Sequence, residues 1–100
     1  MGAQVTLERI GVPWFPRVGF DELRSVMTDR HAIPDTFAEW ERMAQTRFKE
    51  LRRAHAPIRV EKIMLAQELF LAFCREHGLQ PDSSARAQFA ALVSARRLGN

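Results

Sequence analysis

A single cysteine, Cys74, means that no disulfide can form within the chain, which removes the usual reason to place a small domain in an oxidising compartment. No stretch approaches the roughly 20 apolar residues that span a bilayer. Met1 to Phe15, which carries Glu8 and Arg9, has no apolar run of signal-peptide length. The expectation is a cytoplasmic protein with no membrane partner. Internal repeats, low-complexity segments and Gly/Ser linkers are absent, so the five glycines and five prolines serve as local punctuation. A Gly-rich phosphate loop, a G-x-S-x-G elbow and a Ser, His and Asp set at a recognised spacing are missing too, which excludes the common catalytic signatures. No block of five or more like charges occurs.

The 100 residues that remain to be read are 46% hydrophobic and 27% charged, the balance of one domain spanning 1–100. A chain of this length buries roughly 60 to 70% of the surface its unfolded form exposes, enough for one thin core without disulfides or metal. Of its 15 basic residues 13 are arginines, and against 12 acidic residues they leave a net charge of +3. That balance attracts anions mildly but is short of a dense phosphate-neutralising stripe.

From Gln4 to Trp14, Val5 and Leu7 alternate with Thr6 and Glu8 and lead to Ile10 and Val12, the pattern of an extended, half-buried segment covering residues 1–19 with its bend. Pro13 and Pro16 bracket Trp14 and Phe15 and stiffen that bend. A helical body over 20–97 follows. Phe20, Leu23, Val26 and Met27 recur at helical spacing behind Asp21 and Glu22. Thr36 with Glu39 forms a capping box for a second helix, whose inward row is Phe37, Trp40, Ala44, Phe48 and Leu51, continued by His55. Pro57 ends it. Ile58-Arg59-Val60-Glu61 then alternates as a short strand near 58–62, whose partner is either the N-terminal extended segment or a second copy of the chain. Met64 to His77 reads as a third helix closed by Gly78 and Leu79, with apolar residues over more than half its circumference. Asp82 or Ser83 caps a final helix running to Arg96 and Arg97. The fold class is α+β, mainly helical, with about four helices and one or two short strands in a compact domain.

Several of these residues together resemble a known group. Val12-Pro13-Trp14-Phe15, Phe20, Leu23-Arg24, Ile33-Pro34-Asp35-Thr36-Phe37 and Glu39-Trp40, followed by Phe70, Phe73-Cys74, Gly78, Asp82, Ala85-Arg86 and Phe89-Ala90, resemble a family of small uncharacterised bacterial proteins. That domain of unknown function carries a Val-Pro-Trp-aromatic motif and has no assigned activity. The resemblance implies a compact bacterial domain and no functional residues.

Among constellations, Cys74 and His77 form a C-x-x-H pair that makes half a metal site only if His55 and His31 approach it in the fold. The plainer reading is a buried thiol and a histidine favoured by the helix C-terminus, so no metal and no cofactor are expected. His31 and Asp29 share a loop with Asp35, and Ser83-Ser84 with Arg86 stand at a helix start where an anion is favoured. No activating base is visible beside a nucleophile, so the sequence leans against an enzyme and names no catalytic residue. Arg47, Lys49, Arg52 and Arg53, with Arg96 and Arg97, are the nucleic-acid candidates, set against their service to the helix dipole. Trp14 and Phe15, in a minimal P-x-x-P, are either core plugs or partner anchors. Met64 and Leu71, beside the wide apolar face, are partner-interface candidates. The leading expectation is a non-enzymatic protein-interaction module that forms a homodimer, covering the apolar face and the unpaired strand in one contact. Nucleic-acid binding is the alternative, and a small enzyme or anion binder the third.

Overall fold

The structure, a computed structural model, describes residues 9–98. The Val5–Leu7 part of the expected extended segment lies outside the described residues. Within them the chain runs β1 (Arg9–Trp14), α1 (Phe20–Ser25), a 3-10 turn (Arg30–Ala32), α2 (Phe37–His55), β2 (Arg59–Met64), α3 (Gln67–His77) and α4 (Ser83–Leu98). The fold is α+β and mainly helical.

β1 and β2 pair in parallel, from Arg9 opposite Arg59 to Trp14 opposite Met64. Parallel pairing needs a long crossover, and α1 with α2 supply it. The strand near 58–62 therefore finds its partner within the chain. It also runs further than its sequence pattern predicts. Leu65 N–H donates to the Trp14 carbonyl at 2.9 Å, so the ladder reaches past Met64 and α3 starts only at Gln67. The helix expected from Met64 is shortened because its first residues complete a sheet: Ile63 and Leu65 are buried, and extended backbone is what places them there.

Alternation sends β1 and β2 side chains to two faces, each covered by a helix. Ile10, Val12, Trp14 and Val60 meet Phe48, Ala44 and Leu51 of α2. Ile63 faces the larger core of Phe20, Leu23, Met27, Phe70, Phe73 and Phe89. Trp40 belongs to both clusters and joins them. Edge-to-face contacts organise the aromatic side: Trp14 lies 4.9 Å from Trp40 and 5.9 Å from Phe48, and Phe15 lies 5.1 Å from Trp40 and 5.4 Å from Phe20. Each such pair adds about 0.5–1.5 kcal/mol beyond burial.

Helix ends follow local chemistry. Glu39 N–H donates to Thr36 Oγ1 at 3.2 Å, and the same hydroxyl donates to Glu39 Oε1 at 3.1 Å. Ala85 N–H donates to Asp82 Oδ1 at 3.0 Å, which makes Asp82 the cap of α4. Gly78 takes the left-handed conformation (φ 63°), with Leu79 N–H donating to the Cys74 carbonyl at 2.8 Å.

Candidate functional site

Trp14 is 4% exposed and Phe15 2%, so the two aromatics offered as partner contacts are core residues, held by the ring cluster around Trp40. Leu71 is half-buried against the main core. Of the apolar residues in and beside α3, Met64 and Leu69 stay outside, at 54% and 66% exposure. Most of the width of the apolar α3 face is thus used inside one chain, and so is the strand. His55, placed at the end of the inward row, is exposed because α2 outruns the sheet there.

The loop groups considered for acid/base or anion chemistry are engaged with arginines. Arg86 donates to both oxygens of Asp29, at 2.9 and 2.8 Å, and Arg24 donates to Asp35 at 3.0 Å. The Arg86 hydrogen bonds lead in holding the Asp29 carboxyl below its ordinary pKa, against the opposing cost of burial. His31 is exposed. Cys74 is buried, and that burial pushes its thiol pKa up, with the Asp82 charge adding to the rise. His77 lies on the surface against Phe73, 4.5 Å between ring centroids. Among the described residues, no group of three or more His, Cys, Asp or Glu is placed to hold a metal.

A second carboxylate network escapes sequence reading altogether. Glu61 Oε2 accepts from Ser94 Oγ at 3.0 Å and Arg9 at 3.5 Å, while Oε1 accepts from Arg97 at 3.3 Å. Burial raises the Glu61 pKa, but the Ser94 hydrogen bond and the charges of Arg9 and Arg97 outweigh it and hold the carboxyl low. The signal available was an acidic residue between the buried Val60 and Ile63 of a short strand. Arg97, a nucleic-acid candidate, is therefore a structural ion-pair partner. Arg96 lies beside it, exposed in the last turn of α4.

The basic cluster of α2 divides. Seven of the basic residues but only two acidic ones, Glu50 and Glu61, fall within 42–62, while the rest of the chain has eight basic against ten acidic. Glu61 is engaged with Ser94, Arg9 and Arg97 on the α4 side of the sheet. Lys49, Arg52 and Arg53 line one open depression; Arg52 and Arg59 line a second that shares Ala56 with it. Among the described residues none of these four cations, nor Glu50, forms an ion pair. Arg52 caps the Phe48 ring at 5.7 Å, and Lys62 sits 4.3 Å from the Trp14 ring centroid. Arg59 was missed from sequence because it stands alone beyond Pro57, and only the fold brings it to the depression that Arg52 also lines.

Arg47 turns to the other flank of α2 and lines a cleft of about 290 Å³ with Trp14, Phe15, Trp40, Met43 and Pro34, closed at one end by Ser83 and Arg86. Comparison of the chain with family models, curated proteins and solved structures finds no match. No helix among the described residues is long and apolar enough to cross a membrane.

Proposed function

We propose that the protein is a non-enzymatic binding module that contacts nucleic-acid backbone through the end of α2 and the start of β2. The observation that carries this reading is the cluster of Lys49, Arg52 and Arg53 at the end of α2, with Arg59 on the rim of the adjoining depression and, among the described residues, no carboxylate paired to any of them. Arg9, Arg17, Arg24, Arg86 and Arg97 have acidic partners; among the described residues these four cations do not. Guanidinium groups match phosphate geometry bidentately, and an uncompensated basic face neutralises phosphates with release of counterions. Recognition is independent of base sequence, because the aromatics beneath this face are buried and offer no stacking platform. A cytoplasmic setting belongs to the same reading, supported by the free, buried Cys74.

Fluorescence anisotropy with labelled single-stranded and duplex probes at low salt tests it. Expected is binding whose log–log salt slope is about −3 to −4, the value for roughly four phosphate contacts. Arg52→Glu/Arg53→Glu, both on exposed positions, should abolish it while leaving the thermal melt in place. Absence of any shift with every probe at low salt overturns the proposal.

A protein contact, most simply with a second copy, is the second reading, supported by the exposure of Met64 at the end of β2 and Leu69 in the first turn of α3. Light scattering at micromolar concentration decides it: a dimer dispersed by Leu69→Asp supports the contact, and a monomer in the parent protein rejects the homodimer.

A further inference from the structure

We propose that the cleft between α2, the end of β1 and the start of α4 binds a small amphiphilic monocarboxylate, an acid with one ring or one branched alkyl group. Its volume of about 290 Å³ stands at the lower end of small-molecule pockets, which run from about 300 to 1,000 Å³. The lining is apolar: Trp40 and Pro34 are half-buried, and Met43 remains 46% exposed on a fold that buries most of its large side chains. Its polar groups sort by whether they are already engaged. Arg86 is neutralised by the bidentate pair with Asp29 and contributes shape without net charge. Arg47 has no acidic partner among the described residues, and the Ser83 hydroxyl makes no hydrogen bond there. What remains is one cation and one hydroxyl beside an apolar wall. A single guanidinium matches a monoanion, whose carboxylate it can grip bidentately. The apolar wall disfavours a bare inorganic ion, which would lose hydration without gaining contact, and favours an acid with a compact hydrocarbon body. This site lies on the opposite flank of α2 from Arg52 and Arg53 and stands apart from the nucleic-acid reading.

The two tryptophans of the chain, Trp14 and Trp40, both line the cleft, so intrinsic fluorescence reports its occupancy without a label. Titration with 4-methylpentanoate and cyclohexanecarboxylate, which do not absorb in that range, should give a saturable change in emission. Acetate and 4-methylpentanamide should give none at the same concentrations, since each lacks one half of the recognised chemistry. Arg47→Gln should weaken 4-methylpentanoate by about tenfold or more, the loss of one charge-assisted pair, with an unchanged thermal melt. Ala44→Leu fills the cleft and should abolish the response, whereas Arg52→Glu/Arg53→Glu should retain it. No saturable response to either acid up to millimolar concentration overturns the proposal. So does an equal response to the amide, or wild-type affinity in Arg47→Gln.

Discussion

The guanidinium of Arg86 grips the carboxylate of Asp29 across 57 residues of sequence, with donor distances of 2.9 and 2.8 Å, and so ties the first turn of α4 to the loop that follows α1. The same side chain lies over the Phe15 ring at 5.5 Å and places NH1 3.4 Å from Met27 Sδ. An ion pair thus closes the rim of the aromatic core. Asp29→Ala strands a largely buried cation and should cost about 2–3 kcal/mol of stability, below the range for fully buried pairs because Asp29 keeps some solvent. The double variant Asp29→Ala/Arg86→Met should lose less than the two single losses added together, since the apolar stem over Phe15 survives. Urea unfolding of the four proteins measures the coupling, and strict additivity would show that the pair contributes nothing specific.

Acid sensitivity follows from the two engaged carboxylates. Asp29 and Glu61 both have pKa values lowered in the folded chain, so each contributes stability that is present above its ordinary unfolded value and is lost as pH falls through the lowered one. Stability should be level at neutral pH and decline below about pH 4.5. In Asp29→Asn and Glu61→Gln that decline should be shallower, from a lower plateau. Melting temperatures between neutral and acid pH check the sign, and an unchanged slope in both variants contradicts it.

Gly11 sits where α4 crosses β1. A Cβ there would stand 2.5 Å from the Ala90 carbonyl oxygen and 3.0 Å from Ser94 Cβ, and backbone cannot yield as a flexible side chain would. Gly11→Ala should therefore push α4 off the sheet, disturb the Ser94–Glu61 hydrogen bond and cost about 2–3 kcal/mol. Chemical denaturation gives the number. Gly19, which has open space around it, is the control for the loss of a glycine without a steric clash, although its φ of 86° adds its own strain.

Cys74 offers a probe of opening. Burial raises its thiol pKa, and the side chain is packed in the main core, so a thiol reagent should label the native protein only as fast as α3 and α4 separate. Labelling rates that rise with denaturant support this; rapid labelling under native conditions argues against a closed core.

Local order was legible in the chain itself. The Thr36–Glu39 box, the Gly78–Leu79 closure, the Asp82 cap and the inward row of α2 depend on neighbours within four residues, and sequence spacing reports such neighbours directly. The start of α3 was not legible. Met64 and Leu65 fit the start of a helix by periodicity, and only the ladder to β1, 50 residues earlier, holds them extended. The interface residues suffered in the same way: Trp14 and Phe15 look like anchors until a cage of rings from α1 and α2 closes over them.

By itself the sequence determined the capped start of α2, the glycine closure of α3, the inward row of α2 and a mainly helical α+β class, because these rest on short-range hydrogen bonding and amphipathic period. Tertiary structure decided how charge is used. The thirteen arginines look alike in a composition table, yet folding gives Arg9, Arg24, Arg86 and Arg97 carboxylate partners across 11 to 57 residues, while Arg47, Arg52, Arg53 and Arg59 receive none among the described residues. Ion pairing depends on where side-chain tips meet after the backbone has packed. Folding therefore sorts identical side chains into paired members of the scaffold and unpaired ones, of which Arg52 and Arg53 line one depression and Arg47 another.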